Sequence, residues 1–149
     1  ADYLVLTRFD GLKGHGLTIP GTSLGLTSDL PVACDVDGAG KADIALYRTS
    51  AGSVYWFIYN SSNGSTSTLQ FGAAGDIPFA MDNDGDGKSN LAVFRPSNNT
   101  WFIARPTGTP SSNFDAIPFG QAGDVIVPAD SDGYNQDDNA VFRPSTGTR

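Results

Sequence analysis

The sequence is poor in the residues that staple, catalyse or bind polyanions. It has one cysteine, Cys34, and one histidine, His15, in 149 residues. A single thiol excludes an intrachain disulfide framework, so oxidative cross-linking is not what stabilises the domain. His15 sits in Gly-His-Gly with no Gly-x-Ser-x-Gly elbow anywhere in the chain, which leaves it as a solvated loop residue rather than a catalytic base. No phosphate loop, zinc cluster or paired acid and base stands out, and scattered carboxylates do not make a glycosidase, which needs two at a defined separation. Basic side chains number 9 against 16 acidic ones, a formal charge of -7. That balance excludes nucleic acid as a partner, because counterion displacement needs a basic surface, and favours cations. No apolar run approaches the length of a membrane span. The first residue is Ala1, without a Met or signal peptide, so the N-terminus reads as processed or trimmed.

What is abundant breaks up helices. The 18 Gly and 9 Pro, with many Ser, Thr, Asn and Asp, punctuate the chain every few positions. An all-β class follows, in a chain long enough to bury a core.

The punctuation is periodic. Asp29-Leu-Pro-Val-Ala-Cys-Asp35, Asp76-Ile-Pro-Phe-Ala-Met-Asp82 and Asp124-Val-Ile-Val-Pro-Ala-Asp130 are versions of one segment, 47 and 48 residues apart. The same offsets carry Arg48 onto Arg95 and Arg143, each closing an apolar run: Ile44–Tyr47, Leu91–Phe94 and Ala140–Phe142. Each full unit then has an aromatic-led run, Trp56–Tyr59 or Trp101–Ala104, and a third run ending in Phe71-Gly72 or Phe119-Gly120. Four short strands in about 48 residues is the size of a propeller blade. The spacing predicts a partial blade over 1–28, repeat 1 over 29–75, repeat 2 over 76–123 and a partial repeat 3 over 124–149. A blade must bury both faces against neighbours, and three are too few for a ring. The chain therefore either belongs to a longer propeller or assembles with copies of itself. Tyr3–Thr7 resembles a second strand and the C-terminus stops after a first, so the two ends read as pieces of one blade. A homodimer would then complete a six-bladed ring.

Chemistry concentrates in Asp82-Asn-Asp84-Gly-Asp86-Gly-Lys88-Ser-Asn90, between two predicted strands. Carboxylates at positions 1, 3 and 5 converge as the glycines turn the backbone, and the carbonyl of position 7 and an oxygen at position 9 complete a cage suited to Ca2+. Three carboxylates in one turn repel each other unless a cation intervenes. An EF-hand is excluded, because position 12 is Val93, within a predicted strand, where that motif needs Glu. The competing reading is an ordinary Asp-Gly turn whose side chains cap backbone amides.

The motif and its setting resemble the FG-GAP repeat of integrin-like propellers and related bacterial (VCBS-type) repeats, in which a D-x-D-G-D-G-K loop precedes an A-V-F-R-P-S strand. The resemblance covers residues 29–149 well and the first 28 weakly. It implies calcium at Asp82, Asp84, Asp86, the Lys88 carbonyl and Asn90, the last standing where Asp is usual and lowering the charge. Weaker sites are expected at Asp35, Asp37, the Lys41 carbonyl and Asp43, and at Asp130, Asp132, the Gln136 carbonyl and Asp138. Each has lost a carboxylate, to Ala39 and Tyr134 at position 5.

Three other groups have competing readings. Trp56 and Trp101 fill space between blades or stack on a sugar ring. Arg48, Arg95 and Arg143 pair with loop acids and join neighbouring repeats, or bind a ligand; their repeated position favours the structural role. Cys34 reads as a small buried hydrophobe. The resemblance implies a secreted or cell-surface, non-catalytic module that recognises carbohydrate or protein in adhesion or lectin-like roles. The alternatives are an accessory propeller of a secreted lyase or hydrolase, and a self-assembling fragment with no ligand beyond calcium.

Overall fold

The computed structural model describes residues 28–105 and 113–145. His15 and Tyr3–Thr7 lie outside them. Among the described residues there is no helix, and hence none long and apolar enough to cross a membrane. Every element is a strand: β1 (Leu30–Cys34), β2 (Asp43–Ser50), β3 (Ser53–Tyr59), β4 (Thr66–Ala73), β5 (Ile77–Met81), β6 (Asn90–Arg95), β7 (Thr100–Ala104), β8 (Phe114–Pro118), β9 (Val125–Ile126) and β10 (Val141–Phe142). They form two four-stranded antiparallel sheets in the order of the sequence, β1-β2-β3-β4 and β5-β6-β7-β8, and a two-stranded sheet of β9 and β10.

Local chemistry explains the sequential order. Strands joined by short polar turns pair with their nearest neighbours. Between β2 and β3, Ser50 pairs with Ser53 and the two residues of the turn, Ala51 and Gly52, both have positive φ, 50° and 80°. That is the turn whose twist matches an antiparallel hairpin. Between β4 and β5 the chain reverses through Ala73–Asp76, where the Asp76 N–H donates to the Ala73 carbonyl at 3.1 Å and Gly75 supplies the φ of 90°. The turn Gln121–Asp124 repeats the arrangement before β9.

The sheets pile face to face. In β3, burial alternates: Val54, Trp56 and Ile58 are buried while their neighbours are half-exposed. Together with Ala45, Tyr47 and Phe71 they form one core with Leu91, Val93 and Ala104 of the second sheet. The opposite face of that second sheet, Phe79, Met81, Phe94, Trp101 and Ile103, packs on Ile126 and Val141 of the third. This is why Leu91–Phe94 is apolar without alternation: β6 is buried on both faces. Each fully buried aliphatic contributes about 1.5–3 kcal/mol, so one sheet alone would leave much of its stabilising surface in water. The first strands of the two large sheets, β1 and β5, also approach each other. None of the described sheets closes on itself.

Two expectations are corrected. The Arg series does not pair with loop acids and does not join repeats. Antiparallel pairing places Leu30 opposite Tyr47, Ile77 opposite Phe94 and Val125 opposite Phe142. One step further out, Arg48, Arg95 and Arg143 therefore face Asp29, Asp76 and Asp124 of their own units, and each forms a two-toothed ion pair with that carboxylate. The tryptophans have no face open to a sugar. Trp56 and Trp101 are both 0% exposed, and their indole N–H groups donate to the carbonyls of Phe71 at 2.9 Å and Phe119 at 3.1 Å.

Candidate metal centre

Three loops link the first two strands of each unit: loop 1 (35–43), loop 2 (82–90) and loop 3 (130–138). They share one hydrogen-bond scheme. The position-1 carboxylate accepts from the N–H groups of positions 4 and 6, as Asp35 does from Gly38 and Gly40 at 2.8 Å. Asp82 does so from Gly85 and Gly87 at 2.8 and 2.9 Å, and Asp130 from Gly133 and Asn135 at 2.7 and 2.9 Å. The position-3 carboxylate accepts from position 5: Asp37 from Ala39, Asp84 from Asp86, Asp132 from Tyr134. The position-9 oxygen accepts from the N–H of position 2: Asp43 from Val36, Asn90 from Asn83, Asp138 from Ser131. Aspartate and asparagine side chains are short enough to fold back onto their own backbone in this way. The scheme is the same whether position 5 is Ala, Asp or Tyr, so position 5 does not set the loop's shape.

Position 5 does change the charge. In loop 2 the carboxylates of Asp82, Asp84 and Asp86 each bring an oxygen within 4.8 Å of the others. Partial burial, then the negative charges of Asp86 and Asp82, push the Asp84 carboxyl up, against the opposing N–H of Asp86. In loop 1 the gathered set is Asp35, Asp37 and Asp43, and here hydroxyl and amide donors supply what a cation would. Ser61 donates to Asp43 from both N and Oγ, at 2.8 and 3.2 Å, and Ser62 donates its hydroxyl to Asp37. The Ser62 hydroxyl, then the Ala39 N–H, hold the Asp37 carboxyl down at about 2. Loop 3 brings no three carboxylates together among the described residues; the Ser131 hydroxyl and N–H occupy Asp138 and lower it. The expected loop 3 set of Asp130, Asp132 and Asp138 is thus shaped like the others without their convergence.

The donor chemistry of loop 2 fits a hard divalent cation: oxygen only, three carboxylates, one amide oxygen at Asn90. Asp82, Asp84, Asp86 and Asn90 would hold it, with the Lys88 carbonyl as the further expected ligand. When bound, the ion would supply positive charge to a turn that otherwise holds three like charges together.

Sequence reasoning missed how the loops interlock. The Ser89 N–H of loop 2 donates to the Asp35 carbonyl of loop 1 at 2.7 Å, and the Asp35 N–H donates back to Ser89 Oγ at 3.0 Å. Loop 3 repeats this on loop 2, with Asp137 N–H to the Asp82 carbonyl at 2.7 Å and Asp82 N–H to Asp137 Oδ2 at 2.8 Å. Position 8 of loops 2 and 3 thus grips position 1 of the loop before it. Ala42, Ser89 and Asp137 share no side-chain type, and half the contact is backbone, so only the offset of 47 and 48 residues could have flagged it.

No protein-family model, no curated protein and no solved structure matches the chain.

Proposed function

We propose that the chain is a calcium-holding segment of a β-propeller, built of blades like those of FG-GAP repeats, and that it acts as a non-catalytic recognition module outside the cell. The observation that carries the calcium reading is the convergence of the Asp82, Asp84 and Asp86 carboxylates within 4.8 Å on a loop that the protein's own amides already hold in shape. Preformed geometry lowers the ordering cost of binding. The propeller reading is supported by serial stacking: each face of the middle sheet is covered by a neighbour, as blades around an axis require.

An amide at position 9 leaves three carboxylates rather than four, and a lower ligand charge weakens calcium binding toward the roughly 0.1–1 mM of extracellular modules. A site that weak fills only where calcium is millimolar, which supports a secreted or cell-surface setting. With both tryptophans buried, the exposed aromatic on the loop rim is Tyr134, at 80% exposure, placed to meet a carbohydrate or protein ligand.

Calorimetric titration with CaCl2 tests the reading. One site should be seen in the wild type, with a melting temperature that rises as calcium is added. Asp86→Ala should bind on the order of tenfold more weakly or worse while its calcium-free melting temperature changes little, since loop 1 keeps the same fold with Ala39 in that place and the bond lost, from the Lys88 N–H to the Asp86 carboxylate, is exposed. Absence of both heat and thermal shift in the wild type would overturn it.

A further inference from the structure

We propose that Asp137, a residue of loop 3 outside every expected ligand set, is a positioning residue that aims and charges the metal site of loop 2. The inference rests on the calcium reading of Asp82, Asp84, Asp86 and Asn90, and names a residue that sets the affinity of that site without being one of its ligands. Asp82 is the pivot. Its carboxylate accepts the N–H groups of Gly85 and Gly87 at 2.8 and 2.9 Å, while both polar groups of its backbone are held by one residue of the next loop. The Asp82 N–H donates to Asp137 Oδ2 at 2.8 Å, and the Asp82 carbonyl accepts the Asp137 N–H at 2.7 Å. Two neighbours extend the clamp. Gln136 donates its side-chain amide to the Asn83 carbonyl, and the Asn135 carbonyl lies 3.4 Å from where a Gly85 Cβ would stand. Loop 3 thus lies along positions 1 to 4 of loop 2 and aims the first ligand before an ion arrives. Site rigidity is one of the two quantities that tune calcium affinity.

The other quantity is charge, and here the two clamps differ. Loop 1 is gripped by Ser89, whose neutral hydroxyl oxygen accepts the Asp35 N–H at 3.0 Å, whereas loop 2 is gripped by a carboxylate. Loop 2 has Asn90 at position 9 where loop 1 has Asp43, so its own side chains bring three negative charges and Asp137 adds a fourth, bonded to the backbone of the first ligand. A negative charge held close attracts a cation whether or not it enters the coordination shell. Beside three other carboxylates it repels in an empty loop and stabilises in a filled one. Clamp and charge sit on one side chain, and substitution separates them: asparagine keeps an oxygen for the Asp82 N–H and removes the charge, while alanine removes both.

Calorimetric titration with CaCl2 of the wild type, Asp137→Asn, Asp137→Ala and Asp115→Asn, each with a calcium-free melt, tests this. Asp137→Asn should bind roughly fivefold more weakly with a calcium-free melting temperature close to that of the wild type. Asp137→Ala should bind more weakly still, because the first ligand is then less firmly aimed. Asp115→Asn removes the same unit of charge from β8 and should bind as the wild type does. In about 1 M KCl, where the Debye length is roughly 3 Å, the gap between wild type and Asp137→Asn should close while the deficit of Asp137→Ala persists, a salt dependence that a merely structural residue would not show. Equal affinity of wild type and Asp137→Asn at low salt, or an equal loss in Asp115→Asn, would overturn the proposal and leave the calcium reading standing. No heat in the wild type would overturn both.

Discussion

Arg95 donates from Nε and Nη2 to the two oxygens of Asp76, at 2.8 and 2.9 Å, while its guanidinium carbon lies 4.4 Å from the centroid of the Phe102 ring. Arg48 does the same with Asp29 and Phe57, and Arg143 with Asp124. The Asp76 carboxylate also accepts the Ala73 N–H at 2.8 Å, so one side chain ties the start of β5, the end of β6 and the turn that enters the sheet. The carboxylate is 1% exposed against 30% for its arginine. Asp76→Ala should therefore cost about 3 kcal/mol, as removal of one partner of a buried pair does. Asp115→Ala, which breaks the Arg105 pair at 51% and 36% exposure, should cost under about 1 kcal/mol. Urea denaturation of the two variants checks the contrast, and equal losses would contradict it.

The Arg143–Asp124 pair makes stability depend on pH in a defined direction. Hydrogen bonds from Arg143, against a smaller opposing effect of burial, hold the Asp124 carboxyl below the usual carboxylate range. A carboxyl lowered in the folded state contributes its full stability above its unfolded value, near pH 4, and loses it as pH falls through the folded value. Asp37, held at about 2, acts in the same window. Urea midpoints should be level between pH 5 and neutrality and fall between about pH 4 and pH 2. Asp124→Asn should show a shallower fall. A midpoint that drops equally in both proteins would remove Asp124 as a source of the effect.

Much of this was legible as periodicity. The apolar runs Ile44–Tyr47, Trp56–Tyr59, Leu91–Phe94 and Trp101–Ala104 all lie inside strands, β2, β3, β6 and β7, because apolar and aromatic runs bounded by Gly, Asn and Ser have few other solutions. The third runs were read less evenly: Phe71-Gly72 falls within β4, but Phe119-Gly120 lies beyond β8. The Asp–Arg pairing was not read, although it follows from register, since Asp29 and Arg48 flank the paired Leu30 and Tyr47. Its signal was hidden because the loops offer many nearer carboxylates. The difference between loops 1 and 2 was beyond a ligand count. Loop 1 is served by Ser61 and Ser62 from just past the end of β3, a contact set by the pairing of Ile44 with Tyr59, which a count of ligands within the loop does not include.

Gly72 is required by both backbone and space. Its φ is 108°, and a Cβ there would lie 3.0 Å from Tyr47 Oη and 3.3 Å from Val93 Cγ1, at the seam between the first two sheets. Gly72→Ala should cost about 2–3 kcal/mol. Gly75→Ala meets nothing within 4 Å at a φ of 90° and should cost only about 1 kcal/mol, the backbone part alone. Chemical denaturation separates the two, and the steric account fails if both lose the same.

Asn139 occupies the repeat position held by Ile44 and Leu91 in the first two units. Leu91 there is part of the first core, while the Asn139 side-chain oxygen is buried with no hydrogen-bond partner. Burying an acceptor unpaired forfeits its hydration for nothing, at about 1–3 kcal/mol. Leucine at this place would restore the apolar pattern of the repeat on the face that already presents Val141 to the second sheet. Asn139→Leu should then raise stability by about 1 kcal/mol, or the melting midpoint by about 3 °C for a chain of this size. A lower midpoint would show that the oxygen is bonded in solution, and the third sheet would then be held by a polar contact where the other two are held by apolar ones.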